Sequence, residues 1–74
     1  MKMYVLMEDM SYDGDKFIGV YDSIKNLTNA AEAYVEKCSS APSLYFNEVY
    51  LNGDPDNIIK QAKLTVKYTI EEYV

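Results

Sequence analysis

The sequence predicts a two-layer α+β domain: an antiparallel sheet of about four strands in the order β-β-α-β-β, with one helix packed on one face. Three observations predict it. Short stretches rich in Tyr, Val, Ile and Leu, at residues 3–8, 17–21, 44–51 and 63–74, read as strands. One segment, residues 23–38, instead spaces its apolar residues by three and four, as a helix does. The breaks between these stretches carry Gly, Pro, Asn and Asp, which favour turns. At 74 residues the chain has room for one domain. Its 49% hydrophobic content is enough to fold it rather than leave it disordered.

The first strand, MYVLME, places Met3, Val5 and Met7 on one face and Tyr4 and Leu6 on the other. Both faces are apolar, so the strand is expected to be central or covered twice. The second, FIGVY, contains Gly19, which points to a bulge or a close backbone approach. Asp13-Gly14 between the two is a hairpin signal, because glycine accepts the positive φ of a tight turn. Asp22 or Ser23 then caps a helix by accepting a hydrogen bond from a free N–H of its first turn. Ile24, Leu27, Ala31, Tyr34 and Cys38 form its inward stripe. Residues 38–43, with Pro42, end it.

LYFNEVYL is the third strand, and residues 52–56 make a turn. DNIIKQA is expected to form one or two helical turns, with Asp56 as cap and Ile58 and Ile59 inward. In the closing stretch Leu64, Val66, Tyr68 and Ile70 alternate with Lys63, Thr65, Lys67 and Thr69, a strand with one apolar face. The final strand, or the second, is expected to lie at the sheet edge, where an unpaired ladder invites a second chain.

Composition narrows the chemistry. Twelve acidic residues against seven lysines leave a net charge of −5, and the chain contains neither Arg nor His. Arginine makes the bidentate contacts that phosphates and base edges favour, and phosphate neutralisation supplies much of nucleic-acid affinity. Nucleic acid and anionic membrane surfaces are therefore not expected partners. No apolar run approaches the ~20 residues that span a bilayer, and the start MKMYVLM is too short for a signal-peptide core. A single cysteine, Cys38, forms no internal disulfide, which fits a reducing, cytoplasmic setting. Without His or a basic cluster to activate it, Cys38 is expected to be a structural thiol. No zinc spacing and no glycine-rich phosphate loop occur, so neither catalysis nor a cofactor is expected.

The stretch DMSYDGDKFIGV begins like a calcium loop, with Asp9, Ser11, Asp13 and Gly14 at the right spacing. The twelfth position is Val20, where the pattern needs a bidentate Glu, and the flanks read as strands rather than helices. The hairpin turn is the better reading, and weak divalent binding by Asp9, Asp13 and Asp15 is the alternative. Glu8, Asp9, Asp13, Asp15 and Asp22 crowd the first 22 residues with negative charge. This is either a solvated loop or a surface for a basic partner. Eight tyrosines are either filler for the sheet or rigid amphipathic anchors at an interface.

Four stretches carry a resemblance: Tyr4-Val5-Leu6, Tyr12-Asp13-Gly14-Asp15, Gly19-Val20-Tyr21-Asp22-Ser23 and Glu48-Val49-Tyr50-Leu51. In these the chain resembles a group of small uncharacterised proteins of bacteria and their phages. The resemblance covers roughly the first two thirds and implies a β-β-α-β core. It brings no activity and no functional residues, and the tail from Asp54 onward departs from it.

The function expected is a small acidic protein-binding module that contacts a basic surface through Glu8, Asp9, Tyr12, Asp13, Asp15, Asp22 and Tyr45. One concrete form is a phage or mobile-element protein that inhibits a host defence protein such as a nuclease. An ion- or small-ligand-binding domain built on Asp9 to Asp15, and a subunit that pairs with itself through sheet edges or tyrosines, are the alternatives.

Overall fold

The computed structural model describes residues 1–10, 14–39, 42–54, 57–64 and 70–72. Strand β1 (Lys2–Asp9) pairs antiparallel with β2 (Asp15–Tyr21) and, on its other side, with β3 (Leu44–Tyr50). Helix α1 (Ile24–Glu36) joins β2 to β3, and β4 (Lys60–Leu64) pairs antiparallel with β3. A short β5 (Ile70–Glu72) completes a sheet of order β2-β1-β3-β4-β5. The two-layer α+β fold with an antiparallel sheet is the one the sequence predicts. β1 lies inside the sheet, and β2 forms one edge while β5 forms the other.

Local chemistry explains the elements. Asp9 stands opposite Asp15 at the end of the β1–β2 ladder, and Gly14 takes a φ of 77°, so the opening stretch connects two adjacent strands. The ladder slips between Leu6 and Met7, which pair with Gly19 and Phe17, leaving Ile18 as the extra residue of a bulge. At Gly19 the Tyr21 phenol lies where a side chain would be, its hydroxyl 2.5 Å from the site of an added Cβ. Ser23 rather than Asp22 caps α1: its hydroxyl accepts from the Asn26 N–H at 3.1 Å. The Asp22 carboxylate instead accepts from the Asn26 side-chain amide at 2.8 Å. The helix stops at Glu36, and the Cys38 thiol beyond it donates to the Tyr34 carbonyl at 3.3 Å.

The core lies between α1 and one face of the sheet. Leu6, Leu27, Ala31, Leu44, Phe46, Ala62 and Leu64 are buried there, with Tyr4, Ile18, Tyr21, Tyr34 and Val35 packed around them. Tyr4 meets Phe46 edge-on, ring centroids 5.8 Å apart. Each buried Leu or Phe contributes roughly 1.5–3 kcal/mol by leaving water. The inward stripe of α1 centres on Leu27 and Ala31, whereas Ile24 stays exposed and Val35 takes part instead.

Two expectations about the tail are corrected. The helical turns expected in DNIIKQA do not form over residues 57–62. Ile59 N–H donates to the Glu48 carbonyl at 2.8 Å, and Lys60, Gln61 and Ala62 are already in β4. Ile58 is exposed rather than inward. So short a segment pays the full cost of helix nucleation, whereas pairing with β3 satisfies its backbone and buries Ala62 and Leu64. The single closing strand over 63–74 is instead two. Ala62, Lys63 and Leu64 pair with Glu72, Glu71 and Ile70, so the chain reverses between them. The alternation expected at 65–69 lies outside the described residues.

Candidate functional site

Strand alternation assigns every sheet residue to one of two faces. The register puts Leu6 opposite Phe46 and Phe46 opposite Ala62 on the helix side. It puts Met3 opposite Val49, Met7 opposite Tyr45 and Phe17, Val5 opposite Val20 and Asn47, and Asn47 opposite Gln61 on the other. The Leu51 N–H donates to the Met1 carbonyl at 2.8 Å and extends this pairing by one step. Met1, Met3, Val5 and Met7 thus run down the middle of the open face, flanked by Phe17 and Val20 on β2 and by Tyr45, Val49 and Leu51 beside β1. Phe17 is 58% exposed and Val20 47%. No described element packs over this face. In its middle the Gln61 amide donates to the Asn47 side chain at 2.9 Å.

One corner of the open face is acidic. Asp9 and Asp15 are directly opposite each other, and like charges so placed repel. The Tyr45 hydroxyl donates to Asp15. Asp9, Asp15, Tyr45 and Gln61 line a depression of about 230 Å³. Burial and the bond to Asp15 push the Tyr45 phenol up to about 12. Lys63, opposite Tyr45 on β4, is the described cation at this end of the face.

Glu8 belongs elsewhere. It faces the helix side, where the Tyr34 hydroxyl donates to its carboxylate. The Lys16 ammonium donates to the Tyr34 hydroxyl at 3.4 Å and lies 5.5 Å from the centre of its ring. The bond to Glu8, then burial, raise the Tyr34 pKa. Asp22 sits at the opposite end of the β1–β2 ladder, beside the helix start. Of the expected partner-binding residues, the structure therefore brings together Asp9, Asp15 and Tyr45 and separates Glu8 and Asp22 from them. Tyr12 and Asp13 lie outside the described residues.

The five described tyrosines do not make one surface. Tyr4 and Tyr21 pack against the core, Tyr34 joins α1 to Glu8, Tyr45 lies on the open face and Tyr50 is exposed at a strand end. Among the described residues no three His, Cys, Asp or Glu side chains converge to hold a metal ion, and no helix is long and apolar enough to cross a membrane. The sequence places Met3, Val5 and Met7 on one apolar face; the structure makes β1 central but leaves that face without a described covering element. The signal for that opening was two apolar faces on the first strand and only one long helix to cover them.

No family model, curated protein or solved structure matches the chain.

Proposed function

We propose that the chain is a small protein-binding module that docks through the open face of its sheet. The observation that carries this reading is the stripe of Met1, Met3, Val5 and Met7, with Phe17 and Val20 beside it, over which no described element packs. Water wets apolar area there that a partner would dry. Methionine suits such a surface, since its flexible, polarizable side chain adapts to different shapes. The acidic corner at Asp9 and Asp15 and the net charge of −5 favour a partner with a basic border. A phage or mobile-element protein that occupies a host defence protein is the biological setting we favour, on the strength of small size, acidity and the resemblance described above.

Affinity capture from a bacterial lysate tests the reading, using the tagged chain and a Met7→Gln/Val20→Lys variant side by side. A protein retained by the first and lost from the second supports it. Equal capture by both, or no enriched protein, counts against it. The opposed carboxylates of Asp9 and Asp15 favour one other reading, binding of a divalent cation. A melting temperature unchanged by millimolar calcium removes that rival.

A further inference from the structure

We draw no further inference here: the strongest candidate, the open apolar face of the sheet along Met3, Val5 and Met7 of β1, belongs to the site already described, and nothing in the structure shows what covers it.

Discussion

The two faces of this sheet are built from alternate residues of the same strands, yet they are finished differently. On the helix side Leu6, Leu44, Phe46, Ala62 and Leu64 are buried in one cluster with Leu27 and Ala31 of α1, and Glu8, Lys16 and Tyr34 join the sheet to the helix with polar contacts. On the other side Met3, Val5, Met7 and Val49 are half-buried with no described element packed over them, and Phe17 and Val20 stand exposed. Apolar residues on both sides therefore do separate jobs. The first set holds the domain together, and the second is left available. A small domain has little stability to spare, so an apolar face that adds few internal contacts asks for a different explanation.

Substitutions on the helix side should have the largest effects. Phe46→Ala removes a fully buried ring and should cost about 3–5 kcal/mol, enough to unfold much of so small a domain. Chemical denaturation followed by circular dichroism measures it. A loss under about 1 kcal/mol would mean that the helix side is not the main core. Next in size is the helix cap. Ser23→Ala removes the hydroxyl that accepts from Asn26 and should lower stability by about 1 kcal/mol, with Ser23→Asp restoring most of it.

Alkaline pH sharpens the comparison at the corner where the open face meets β3. The Tyr45 phenol is held above its ordinary 10.0, to about 12, first by burial and then by its bond to Asp15. The fold thus favours the protonated phenol. Its contribution is fully present below pH 10 and is lost as pH rises from there toward about 12. Tyrosinate absorbance should show this phenol ionising late, and Asp15→Asn should bring it back toward 10. Smallest of all should be the stability effects on the open face. Val20→Lys on the edge strand should change the unfolding free energy by less than about 0.5 kcal/mol, because a half-exposed edge position tolerates lysine.

Much of the fold was legible in the sequence because hydrophobic period and turn chemistry agree over residues 3–51. Strands at Leu6, Ile18 and Phe46 and a helix through Leu27 and Ala31 follow from spacing alone. The tail was not, since Ile58, Ile59 and Ala62 suit a short helix or a strand equally well locally. Pairing with β3 decided it, and that contact is remote in sequence. The candidate site was legible in part. Asp9, Asp15 and Tyr45 come together as charge and aromatic content suggested, but Glu8 differs from Asp9 by one residue and so points to the other face. That the face of Met3, Val5 and Met7 stays open was not legible, because a half-buried apolar strand reads as core until the number of covering helices is known.

Leu6 and Met7 are neighbours on β1 that face opposite sides, so paired substitutions there test the division of labour most directly. The measurement is unfolding free energy together with capture of the lysate partner for Leu6→Ala and Met7→Gln. Leu6→Ala should lose about 2–5 kcal/mol of stability, while Met7→Gln should keep the fold within about 1 kcal/mol and lose the partner. If Met7→Gln destabilises the domain as much as Leu6→Ala does, or holds the partner unchanged, the open face is not a surface set aside for binding.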